Sequence, residues 1–99
     1  MWTKVAKASE LAEGASRAVD LNGSPVALFK SKDGIFAIDG VCPHRGGPLG
    51  EGYLDGLEVT CPWHAWTFNV KTGQCQTAAG VKQATFKVKI ENGEVFAEL

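Results

Sequence analysis

Turn signals interrupt this chain so often that only short extended segments fit between them. They fall at Asn22-Gly23-Ser24, Lys32-Asp33-Gly34, Asp39-Gly40, Asp55-Gly56, Lys71-Thr72-Gly73 and Asn92-Gly93. Gly and Asn at such points supply the positive φ that tight hairpins need, so the rhythm predicts an all-β sandwich or barrel. The clearest strand is ATFKVKIE, in which Ala84, Phe86, Val88 and Ile90 alternate with Thr85, Lys87, Lys89 and Glu91. That alternation predicts one buried and one wet face, with the Asn92-Gly93 turn folding the strand back onto VFAEL. RAVDL, VALFK and IFAI read as three further strands, the last two apolar on both faces and therefore central. Only KASELAEG suits a helical turn, and Gly14 ends it.

With 99 residues the chain is expected to form one domain over 1–99. The apolar fraction of 44% and charged fraction of 21% are those of a globular protein. A formal charge of -1 and the lack of a basic run argue against a nucleic-acid or anionic-lipid partner. No stretch of about 18 apolar residues offers a membrane span, and the N-terminal residues lack a secretory core, so the chain reads as soluble, cytoplasmic and free of membrane partners.

Between residues 40 and 66 the pattern changes to Gly, Pro, Cys, His and Trp, with LEVT as one strand in the middle. The expected layout is a β base, 1–39 and 71–99, carrying an inserted subdomain of two loops at about 40–70. The only two histidines, His44 and His64, each lie within three residues of a cysteine, in CPH and CPWH. The order Cys-x-His, sixteen residues, Cys-x-x-His offers two thiolates and two imidazoles, suiting tetrahedral zinc or an iron–sulfur cluster. Zinc sites usually pair like with like on each loop. A binuclear cluster with two chemically different irons accounts better for one Cys and one His from each loop. The third cysteine, Cys75, has no ligand-type neighbour and reads as a core or surface residue, and an odd cysteine count argues against a disulfide framework.

CPHRGGPL and CPWHAWTFNVKTG resemble the two ligand loops of the Rieske family, and the flanking β pattern resembles the Rieske fold over essentially the whole chain. The resemblance implies one Rieske-type [2Fe-2S] cluster. Cys42 and Cys61 would bind the buried iron, and His44 and His64 the outer iron. Gly46, Gly47 and Gly50 would let backbone approach the cluster sulfurs or adopt positive φ, and Pro43 and Pro62 would stiffen the loops. Trp63 and Trp66 would exclude water, form a docking face or pack the insertion on the base.

High-potential members of the family carry a disulfide at positions corresponding to Gly47 and Trp63, and hydroxyl donors at those of Trp66 and Phe68. This chain has neither, which implies a low potential. Ala65 stands where the family usually has Gly, and TAAGV, residues 77–81, replaces a loop that commonly bears proline. The implied protein is similar to soluble Rieske-type ferredoxins. It would be a monomeric one-electron carrier and not an enzyme, taking electrons from a flavoprotein reductase to a terminal dioxygenase or other oxygenase. Docking would be transient, near His44 and His64, where Arg45 is outweighed by Glu51, Asp55 and Glu58. A Rieske-fold small subunit of a larger reductase, such as nitrite reductase, and a zinc-stapled binding module are the alternatives. An oxygenase would need a second iron held by two His and a carboxylate, and both histidines are already committed.

Overall fold

The computed structural model describes residues 2–42, 46–63 and 65–98. Among the described residues nine strands fall in chain order: β1 Trp2–Lys7, β2 Ser16–Leu21, β3 Ser24–Ser31, β4 Gly34–Asp39, β5 Tyr53–Asp55, β6 Glu58–Thr60, β7 Thr67–Asn69, β8 Thr85–Glu91 and β9 Glu94–Glu98. Six of them form an antiparallel sheet in the order β1-β9-β8-β4-β3-β2, and β5-β6-β7 form a second, small sheet. The large sheet curls until its edge strands β1 and β2 touch, giving a nearly closed barrel. Single turns of 3-10 helix, Ala8–Glu10 and Leu49–Glu51, are the helical elements among the described residues.

The hairpin turns behave as the sequence leads one to expect, whereas Gly40 of Asp39-Gly40 lacks a positive φ and starts a loop. Asn22 and Gly23, at φ 54 and 90, join β2 to β3, and Asp20 Oδ1 accepts the Gly23 N–H at 2.6 Å. Asn92 and Gly93, at φ 52 and 76, join β8 to β9. Both pairs have the positive φ at two central residues that a right-twisting hairpin favours.

β3 explains how two cores share one strand. Val26 and Leu28 point into the barrel with Leu21, Ala37, Val95 and Ala97. Ala27 and Phe29 point the other way, into a second core with Ile38, Cys42, Leu49, Val59, Cys61, Phe68, Val70 and Cys75. The continuous apolar run is thus a strand buried on both faces. β4 repeats the division, with Ala37 facing one core and Ile38 the other. Large residues such as Phe29, Phe68 and Leu49 are wholly enclosed, each burial being worth about 1.5–3 kcal/mol. The second core lies between the barrel wall and the small sheet, and so becomes the floor on which the two loops stand.

Two details depart from the expected pattern. β8 alternates at Phe86 and Val88, which pack against the barrel core, but Ile90 is 53% exposed although it pairs with buried Val95, and Ala84, which precedes the strand, is exposed as well. The N-terminal strand β1 was not evident from the sequence. Its pairing with β9 shifts register between Lys4 and Ala6, so the bulge at Val5 removes the regular period.

Candidate metal centre

The first loop leaves β4 under close control. The Asp39 carboxylate accepts the Val41 N–H at 3.0 Å, and Gly40 N–H donates to Pro25 O at 3.0 Å. A Cβ on Gly40 would come within 3.1 Å of the Pro25 and Val26 backbone, so a side chain there would press the loop away from β3. The loop then closes with Cys42 N–H donating to Gly47 O at 2.9 Å and Gly46 N–H to Cys42 O at 2.7 Å.

The second loop joins β6 to β7 and repeats the device: Cys61 N–H donates to Trp66 O at 2.7 Å. In each loop the cysteine amide bonds the carbonyl five positions on, and the residue four positions on is left-handed, Gly46 at φ 73 and Ala65 at φ 58. The two loops are therefore similar turns built on different sequences.

Cys42 and Cys61 are buried neighbours, 0% and 1% exposed, and neither forms a disulfide. The loops press directly on each other beside them. A Cβ on Gly47 would lie 2.8 Å from Cys61 Sγ and 3.1 Å from Trp63 Cβ and Cγ, so the first loop's backbone rests on the second loop's thiol and indole. The Trp63 N–H donates to Cys61 Sγ at 3.4 Å. Burial pushes the Cys61 thiol pKa above its ordinary value; the Trp63 N–H opposes this, and the adjacent Cys42 thiol adds to it. A buried pair of this kind keeps its thiolate form only beside compensating positive charge, as a metal provides. The two cysteines therefore fit the thiolate half of an iron–sulfur site.

His44 and His64, with Pro43 and Arg45, lie outside the described residues. Among the described residues no group of three or more His, Cys, Asp or Glu side chains is placed to hold a metal, and the buried pair Cys42 and Cys61 is what the two loops bring together.

The neighbouring residues separate into distinct roles. Gly46 serves for its φ, with nothing near its missing Cβ, whereas Gly47 serves for space. Gly50 does neither for the thiols: a Cβ there would meet the Ala18 backbone of β2 at 2.6 Å, so it lets the insertion lie on the barrel. Trp66 is half-buried against the second core, while Trp63 is 51% exposed and Val41 40%. Cys75 belongs to the core, its thiol 3.3 Å from the Thr77 hydroxyl. One residue escaped sequence reasoning altogether: Gln83, which is buried and donates from Nε2 to Asp39 O and Val41 O at the root of the first loop. A lone Gln in a loop carries no periodic or spacing signal.

The family model for the Rieske [2Fe-2S] domain matches residues 1–91. The chain belongs to the Rieske family. Its cofactor is accordingly one Rieske-type [2Fe-2S] cluster, which replaces the zinc alternative. This Rieske chain is 34% identical to the ferredoxin component of a naphthalene 1,2-dioxygenase system from Pseudomonas putida, over 99% of this chain and 95% of that protein. It is 36% identical to ferredoxin CarAc of Metapseudomonas resinovorans, over 97% of this chain and 92% of that one. Among solved structures, it superposes with a TM-score of 0.89 and 36% identity on a chain of the complex of reduced oxygenase and oxidised ferredoxin of carbazole 1,9a-dioxygenase. That match covers 97% of this chain and 91% of the other.

Proposed function

We propose that this chain is a one-electron carrier, accepting electrons from a flavoprotein reductase and delivering them to a terminal oxygenase. Cys42 and Cys61 hold the inner iron of its cluster, and His44 and His64 the outer. The observation that carries the reading is the pair of buried, unbridged thiols held by two matching turns. The names of its relatives support it: they are ferredoxin components of dioxygenase systems, one of them solved with its oxygenase.

When bound, the cluster supplies one-electron redox chemistry at a site with two unlike irons. The chain's own residues prepare the place for it. Burial of Cys42 and Cys61 keeps water from the thiolates. The hydrogen bonds closing each loop, with the Gly47 contact between them, restrain the ligands against movement when the charge changes. With both histidines committed, no oxygen-activating iron remains to be built on the same pattern, so the chain transfers electrons and does not catalyse. The insertion at about 40–70, on a base formed by 1–39 and 71–99, is the cluster-binding unit of this single-domain reading.

Docking uses the surface around His44 and His64. Exposed Val41 and Trp63 give apolar contact there, and exposed Glu51 adds acidic charge; Asp55 and Glu58 are exposed at the β5–β6 turn, the other end of β6 from the 61–66 loop. The missing hydroxyl donors at Trp66 and Phe68 place the midpoint in the lower part of the family's range of roughly -150 to +300 mV. A cytoplasmic monomer suits this role. Among the described residues no helix is long and apolar enough to cross a membrane.

Iron and sulfide analysis, a redox titration and reconstituted turnover with a reductase and oxygenase of a Rieske system test the proposal. Two irons and two sulfides per chain, with oxygenase turnover dependent on the chain, are expected. A chain that holds the cluster but supports no turnover, and co-purifies with a larger reductase, would favour the subunit alternative.

A further inference from the structure

We propose that Gln83 is a positioning residue for the first ligand loop, acting through the peptide that joins Val41 to Cys42. The inference rests on the reading of Cys42 as a cluster ligand. Gln83 is 6% exposed and, with Ser31, is one of two buried polar residues among those described. Its side-chain amide spans more than forty positions of sequence to donate both protons at one place: Nε2 to Asp39 O at 3.1 Å and to Val41 O at 2.6 Å. The second distance is at the short end for an N–H···O bond, and both acceptors lie within three residues of Cys42.

The amide is itself firmly held. Gln83 N–H donates to Gly73 O at 2.7 Å, and Asp39 N–H donates to Ala84 O at 2.8 Å. Gly73 sits at φ 81, and a Cβ there would collide with Gln83 O, so only glycine allows this close approach. The side chain thus projects from a clamped segment to the root of the loop.

The consequence follows from bond geometry. The Val41 carbonyl and the Cys42 N–H belong to one rigid peptide plane. Gln83 grips that plane at its oxygen, and Gly47 O accepts from its nitrogen at 2.9 Å. Gly47 in turn rests against Cys61 Sγ and Trp63. A single hydrogen-bonded line therefore runs from Gln83 through the first cysteine to the contact with the second, and such lines polarise and stiffen one another. Glutamine suits this position because it offers two donors on a neutral head that can be buried, whereas glutamate would set a carboxylate against two carbonyl oxygens.

The test uses holoprotein from iron-replete cells, comparing wild type with Gln83→Met and Gln83→Glu. Three quantities are read: bleaching of the visible absorption under excess EDTA, the electron paramagnetic resonance signal of the dithionite-reduced protein, and the thermal midpoint. Val95→Ala, in the barrel core away from the loops, controls for general loss of stability. Gln83→Met keeps the length but leaves two carbonyls without donors, and should bleach about tenfold faster with a shifted signal. Gln83→Glu should bleach faster still. Val95→Ala should lower the thermal midpoint with a wild-type signal and near wild-type bleaching at temperatures where it is folded. If Gln83→Glu does not fold, the Met variant decides. Wild-type bleaching and signal in Gln83→Met would overturn the inference, as would a Val95→Ala protein that bleaches equally fast with the same shifted signal. A wild-type protein without iron would instead overturn the carrier reading on which the inference stands.

Discussion

The two cysteine-bearing loops reach the same closure by different routes. In 42–47 the left-handed position is Gly46, which takes φ 73 without steric cost, and the loop's root is held locally by the Asp39 carboxylate and from afar by Gln83. In 61–66 the equivalent position is Ala65, where φ 58 costs an L-residue with a Cβ roughly 1–2 kcal/mol. That loop is held locally instead: it is the connection of a hairpin whose ladder continues beneath it as Thr60↔Thr67, Val59↔Phe68 and Glu58↔Asn69. A turn sealed by its own ladder can carry a strained residue. The first loop stands on a single antiparallel bridge, Val41↔Pro48, with Leu49 N–H donating to Gly40 O at 2.9 Å, and it combines unstrained glycine with the Gln83 hydrogen bonds where the second has a longer ladder.

The largest effect should come from the thiols, where the loops are expected to be equal. Cys42→Ser and Cys61→Ser should each abolish bound iron, measured as iron per folded chain. Iron retained by one variant alone would show that the loops do not share the cluster as proposed. Gly47→Ala comes next, because its Cβ would meet Cys61 Sγ at 2.8 Å and force the loops apart. It should destabilise the holoprotein by about 1–3 kcal/mol in denaturant unfolding and lower its iron content. Gly46→Ala gives the first loop the strain of the second over one bridge instead of three ladder pairs, with open space around the new methyl. A loss of about 1–2 kcal/mol is expected, from backbone conformation alone. The smallest change is a gain: Ala65→Gly should relieve the strain and stabilise by about 0.5–1 kcal/mol, raising the melting temperature by roughly 2–8 °C. A loss on Ala65→Gly would mean that the alanine methyl makes a contact worth more than the strain.

How much of this could be read from sequence depended on range. Cys42 and Cys61 stood out because each lies beside a histidine and a proline, and their pairing followed from the repeat of that pattern. The Asn22-Gly23 and Asn92-Gly93 hairpins were legible because the turn chemistry is contained in two residues. β3 was legible because a strand buried on both faces is apolar throughout. β5 and β7, at three residues each, are too short to show a period, and β1 loses its period at the bulge. The departure at Ala65 was visible as a residue type, but its left-handed conformation needed coordinates. Gln83 was invisible for a different reason: its importance lies wholly in two carbonyls more than forty positions away. Gly50 showed the opposite risk, a glycine near the motif that serves the contact with β2 and not the thiols.

The central claim is mixed ligation of one binuclear cluster by Cys42, His44, Cys61 and His64. It is tested most directly by the electron paramagnetic resonance spectrum of the dithionite-reduced protein. A rhombic signal with a low average g, moving toward all-thiolate character in His64→Cys, is the predicted result. A wild-type signal already of all-thiolate type, or a colourless protein with zinc in place of iron, would contradict it.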